Sequence, residues 1–95
     1  MKTYQAITAD RNFHIHVFPK SHIVLDTFEE GRLVERKRLD VGDTAVFSAF
    51  GKTYTGQIGS IGEFWIYMTQ EERGLPDSQF RIGASEFAWR NGGAV

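Results

Sequence analysis

Alternation of apolar and polar residues runs through most of the chain, and Gly, Pro and Asp interrupt it at short intervals. That is the pattern of short strands with one buried face, joined by turns, as in a small barrel or sandwich. It predicts strands over 3–8, 12–18, 22–28, 32–39, 44–50, 53–58, 63–68 and 80–82. Pro19-Lys20-Ser21 reads as a turn because proline fixes its own φ, and Glu29-Glu30-Gly31 supplies the next one. In the second and third strands Phe13, Ile15, Val17, Ile23 and Leu25 fall on one face. Along 32–39, Leu33, Glu35, Lys37 and Leu39 share a side, and the mixed charge of this segment suits an exposed edge.

The segment 44–58 is the most legible hairpin. With Gly51-Lys52 as a two-residue type II′ loop, Phe50 faces Thr53, Ala49 faces Tyr54, Phe47 faces Gly56 and Ala45 faces Ile58. Phe47, Tyr54 and Ile58 are then buried, with Val46, Ser48, Thr55 and Gln57 opposite. Gly59-Ser60-Ile61-Gly62 reads as the passage to the next strand. A three-residue loop at Ile61-Gly62-Glu63 would put Phe64, Ile66 and Met68 on the same face as Ile58, leaving Trp65 and Tyr67 pointing outward. The polar stretch 69–78, which contains Pro76, reads as a loop, and Ser85 as the cap of a short helical turn carrying Glu86, Phe87, Ala88 and Trp89. Residues 92–95 are expected to be a disordered tail and 1–91 a single domain. The fold class expected is mainly β, a small antiparallel SH3-like barrel or strongly curled sheet with a short C-terminal helical turn.

Composition narrows the function classes. At 95 residues one core is expected, and eight Phe, three Tyr and two Trp supply the bulk to fill it. The absence of Cys excludes disulfides and thiolate chemistry within these residues and favours a reducing, cytoplasmic setting. Neither a signal-peptide-like start nor a membrane-spanning run is present in the sequence. A net charge of −1 provides no field to draw the chain to a polyanion.

Several short motifs invite chemistry. Gly51-Lys52-Thr53 resembles the end of a phosphate-binding loop, but Val46 stands where that loop needs its first Gly, so a hairpin turn accounts for it. Gly59-Ser60-Ile61-Gly62 lacks the Gly spacing of a nucleophile elbow. His14 and His16 share a face, and pairing Phe18 with His22 brings Asp26 opposite His14. These are two imidazoles and a carboxylate of the kind that hold a divalent ion. The wetter face of a hairpin accounts for the same alternation, and no metal or other cofactor is assigned. Arg36-Lys37-Arg38 is a short basic run whose members alternate faces between Glu35 and Asp40. No pair of carboxylates sits in an apolar setting suited to acid–base work.

Residues 41–68, with Val41-Gly42-Asp43 entering a strand and Tyr54-x-Gly56-x-Ile58-Gly59-x-Ile61 following, resemble a segment of an SH3-like barrel. The second stretch is similar to the KOW motif of ribosomal and transcription-elongation proteins, which implies nucleic-acid or ribosome contact. Thr55, Gln57 and Ser60 stand where that family commonly carries Lys or Arg. Extended to Gln70, the stretch also looks like the KfrB-type domain of plasmid-borne proteins, which implies a mobile-element origin. The function expected is a non-enzymatic binding module, an adaptor or inhibitor, engaging a protein partner through Trp65 and Tyr67 with Arg36 and Arg38 as rim charges. The alternatives are a KOW-like nucleic-acid binder using Arg32, Arg36, Lys37 and Arg38, and a metal-dependent small enzyme using His14, His16 and Asp26.

Overall fold

The computed structural model describes residues 1–70 and 80–92. Eight strands and one helix follow in order: β1 (Lys2–Ile7), β2 (Asn12–Phe18), β3 (His22–Glu29), β4 (Arg32–Asp40), β5 (Thr44–Ala49), β6 (Lys52–Ile61), β7 (Trp65–Thr69), β8 (Phe80–Gly83) and α1 (Ala84–Asn91). They form two antiparallel four-stranded meanders, β1-β2-β3-β4 and β5-β6-β7-β8. Backbone bonds join the two along β6. Gly42 N–H donates to Ile58 (2.7 Å), Ile58 N–H to Asp43 (2.9 Å) and Lys20 N–H to Ile61 (2.9 Å). The molecule is mainly β and curls strongly into a half-barrel. Among the described residues no helix is long and apolar enough to cross a membrane.

The core follows from the alternation. Phe13, Ile15, Val17, Ile23 and Leu25 line the inner face of the first sheet, and Ala45, Phe47, Ile58, Ile61, Ile66, Met68 and Ile82 that of the second. The helix covers them with Ala84, Phe87 and Ala88 and packs against β1, β2 and β5. Each large side chain buried this way contributes on the order of 1.5–3 kcal/mol before the cost of ordering the chain is counted.

Turn chemistry shifts several expected details. The β2–β3 pairing is as predicted, with Phe18 opposite His22 and His14 opposite Asp26; Lys20 takes φ 64° behind Pro19. The β5–β6 loop is Phe50-Gly51, not Gly51-Lys52. Both loop residues have positive φ (52° and 74°), the type I′ pattern, and Phe47 therefore pairs with Tyr54, Ala49 with Lys52 and Ala45 with Gly56. This differs from the expected register by two residues, so every side chain keeps its predicted face.

Bulges account for two further corrections. Gly59-Ser60-Ile61 is not a turn but the end of β6, where the ladder steps from Ile58–Met68 to Ser60–Tyr67 and leaves Gly59 unpaired. The extra residue lets Ile58 and Ile61, three apart, face the same core. The β6–β7 loop has the predicted three residues but lies one residue later, at 62–64: Ile61 pairs with Ile66, and Gly62 N–H donates to Trp65 C=O (2.9 Å). Phe64 consequently lies in the loop rather than on the core face. In β4, Leu33 pairs with Phe28 across a bulge that skips Val34, which moves Leu33 off the side shared by Glu35, Lys37 and Leu39.

The helix begins at Ala84, with Gly83 at the N-cap and no side-chain cap, so Ser85 does not cap it. Its start is fixed instead by Ala84 N–H donating to the Phe64 carbonyl (2.9 Å). Gly92 closes the helix through its N–H to Ala88 C=O (2.7 Å). The rest of the expected tail and most of the expected 69–78 loop lie outside the described residues.

Candidate functional site

The outer face of the second sheet carries the predicted aromatic pair. Ile66 and Met68 are buried, so Trp65 and Tyr67 alternate to the other side, and Trp65 is 38% exposed. Tyr67 stands opposite Arg81 and Trp65 opposite Gly83. Since Gly83 has no side chain, Arg81 lies across Trp65 instead, with Cζ 4.3 Å from the ring centroid, a cation–π contact. Phe64 meets Trp65 edge-on at 5.1 Å and Tyr4 at 5.3 Å, while Tyr4 donates its hydroxyl to the Glu63 carbonyl (2.9 Å). A Cβ at residue 83 would come within 2.8 Å of the Phe64 ring, so the glycine makes room for this support. Thr55, Gln57, Ser60 and Thr69 supply the polar remainder of the face through the β6 and β7 registers. The surface presents aromatic rings with polar tips and one stacked cation, a composition common in binding hot spots.

The outer face of the first sheet is organised by a polar chain that takes one residue from each strand. Thr3 Oγ1 lies 2.9 Å from His16 Nδ1, and His16 Nε2 lies 2.9 Å from Asp26 Oδ2. Arg36 donates Nε–H to Asp26 Oδ1 (2.6 Å) and an Nη2 hydrogen to Oδ2 (2.9 Å). Asp26 is only 2% exposed, a buried charge made tolerable by this bidentate clamp. Arg36 lowers its pKa most; burial opposes the shift and His16 adds to it. Arg38 likewise lowers the pKa of Asp40, which it grips with Nε and Nη2 at 3.0–3.3 Å.

This geometry decides among the sequence-based candidates. His14 turns to Phe28, 4.7 Å between ring centroids, while both Asp26 oxygens are occupied by Arg36, so His14, His16 and Asp26 do not converge. Among the described residues there is no cluster of three or more His, Asp or Glu arranged to hold a metal ion. Thr3, His16 and Asp26 follow the hydroxyl–imidazole–carboxylate order of a nucleophilic triad. They lie on an open strand face, however, and the described clefts sit at the hairpin tips, around residues 7–12 and 28–34, away from Thr3. The chain of bonds is a cross-sheet tie. Of the basic run, Arg36 and Arg38 lie on this outer face, each paired with an Asp, and Lys37 is half-buried on the other side opposite Leu25.

Sequence reasoning does not find Arg81, which sits in a four-residue strand, nor the role of Thr3. Alternation within 80–83 places Arg81 outward, but its neighbour across the sheet depends on a pairing that no local signal sets. Compared with protein-family models, curated proteins and solved structures, the chain shows no match.

Proposed function

We propose that the chain is a non-enzymatic binding module that engages a protein partner through the outer face of its second sheet, with Trp65 and Tyr67 as anchors and Arg81 as the accompanying cation. The observation that carries this reading is the outward Trp65, held in place from behind by Phe64 and overlaid by Arg81. Large rings with two side-chain torsions lose little entropy on binding, which suits them to be anchors. Arg36 and Arg38 belong to the other sheet and each binds a carboxylate of its own chain, so Arg81 takes the rim role in their place. The immobilised protein should capture a partner from cell lysate, and W65S/Y67S should lose that capture while keeping its far-UV circular dichroism. Retained capture, or an unfolded double variant, would overturn the assignment.

A second reading rests on the first sheet. Phe18 stacks on His22 (4.3 Å, 13° between planes) and Phe28 meets His14 on the sheet face that also carries Arg36 and Arg38, a face with the elements of a single-stranded nucleic-acid site. Binding to an oligonucleotide that weakens steeply with salt and is lost in R36A/R38A would favour it over the protein partner.

A further inference from the structure

Charge is sparse on the outer face of the second sheet. Around Trp65 and Tyr67 the outward strand residues Thr55, Gln57, Ser60 and Thr69 are neutral, and Arg81 is the one charged side chain among them. Four other arginines, Arg11, Arg36, Arg38 and Arg90, each grip a carboxylate of their own chain, on Glu29, Asp26, Asp40 and Glu86. Arg81 grips none. Among the described residues its guanidinium makes no hydrogen bond or ion pair, and it lies over the Trp65 ring, with Cζ 4.3 Å from the centroid.

Contact with an aromatic ring leaves the N–H donors of a guanidinium unoccupied. Arg81 is exposed, so those donors are open to a ligand. Trp65 is itself backed edge-on by Phe64, and a guanidinium placed by such a ring loses less freedom when an anion arrives. The number of charges selects which anion. A nucleic-acid strand draws its affinity from several neutralised phosphates, which one cation cannot supply. A phosphorylated side chain carries about −2 charges and is met by clusters of arginines. One guanidinium on an otherwise neutral face matches one carboxylate, which it can grip with two parallel hydrogen bonds.

We infer that the partner presents a single Asp or Glu side chain to Arg81, within a peptide segment whose flanking residues are uncharged. This inference rests on the proposal that the Trp65 face is the partner surface. Selecting the immobilised chain against random short peptides displayed on phage should enrich sequences that share one acidic position. Replacing that acid by its amide in a selected peptide should raise Kd roughly tenfold or more in calorimetry, a readout that needs no variant of the chain. Arg81→Gln should bind the acid and amide peptides equally weakly, and Arg81→Lys, which keeps the charge without the fork, should fall between. Selected peptides that lack a shared acid but lose binding to W65S/Y67S would overturn this inference and leave the partner surface standing. Peptides that bind W65S/Y67S as tightly as wild type would overturn both. A library that yields no binding peptide, or a thymidine oligonucleotide that binds the wild type and is lost in Arg81→Gln, would overturn the acidic peptide as the ligand.

Discussion

Gly56→Ala tests the packing of β6 directly. Gly56 stands opposite Ala45 on the core side, and a methyl group built there overlaps the Thr69 backbone carbonyl oxygen and lies 3.0 Å from Cε1 of Phe47. Carbon and carbonyl oxygen in favourable contact keep about 3.3–3.6 Å, so either β7 moves away or the ring does. The ring has no room: Phe47 is fully buried between Tyr54 and Phe80, with centroid distances of 5.7 and 5.2 Å. Overpacking of this kind costs roughly 1–3 kcal/mol. Loosening the ladder at Gln57–Thr69 adds about 1 kcal/mol for a hydrogen bond. The lower unfolded-state entropy of alanine offsets about 0.4–1 kcal/mol. The net loss is about 2–3 kcal/mol, or roughly 10–20 °C in Tm for a chain of this size. Urea melts followed by tryptophan fluorescence, with calorimetry for Tm, measure it. Gly31→Ala is the control, because nothing lies within 4 Å of its Cβ and its cost comes from φ +75° alone. A Gly56→Ala chain within about 0.5 kcal/mol of wild type would refute the reasoning.

Two other changes probe the turns and the buried carboxylate. Phe50 is 84% exposed and holds φ 52° where a type I′ turn favours Asn, so Phe50→Asn should stabilise by about 0.5–1 kcal/mol, and a urea midpoint below wild type would contradict this. Because the folded pKa of Asp26 lies below its unfolded value, its ionised form stabilises fully above the unfolded pKa, and that stability is lost as pH falls through the folded value. The stability difference between wild type and Asp26→Asn should therefore shrink as pH drops from about 5 to about 2, and urea midpoints that run parallel across that range would count against the clamp.

Periodicity is the part of this fold that the sequence makes legible. Alternation locates all eight strands to within a few residues and places Phe47, Ile58, Ile66 and Met68 inward and Trp65 outward. Features that break the period are not legible. Gly51 marks the β5–β6 turn, but Phe50 in a left-handed conformation is unfavourable, so local preference points to a loop one residue late. The bulges at Gly59 and Val34 reverse the phase within a strand, and Gly59 consequently reads as a turn. The polar tie stays hidden for a different reason. Opposite partners can be inferred from a hairpin register, which correctly sets Asp26 across from His14, but the side chain that meets Asp26 is the diagonal His16. Rotamer choice, with Arg36 and Phe28 competing for the neighbouring space, decides that and leaves no periodic trace.

The amide of Asn91 has a chemical lifetime as well as a structural role. Asn followed by Gly is the dipeptide most open to deamidation, in which the Gly92 nitrogen attacks Cγ of Asn91, ammonia leaves, and water opens the succinimide to aspartate or isoaspartate. In the folded chain that attack is held off. The Asn91 side chain is fixed by Val46 and the Phe87 carbonyl, and the Gly92 N–H is engaged with Ala88. Fraying of the last helical turn releases both restraints together. The product then carries a carboxylate where an NH₂ once donated, and it faces the Val46 and Phe87 carbonyls with a charge they repel. An oxygen of that carboxylate can still accept the Val46 N–H, but both donations to carbonyls are lost, which weakens the docking of the helix end on the β5 edge. Each molecule thus carries an ageing clock at its C-terminal helix, and the clock runs only while the helix is undone.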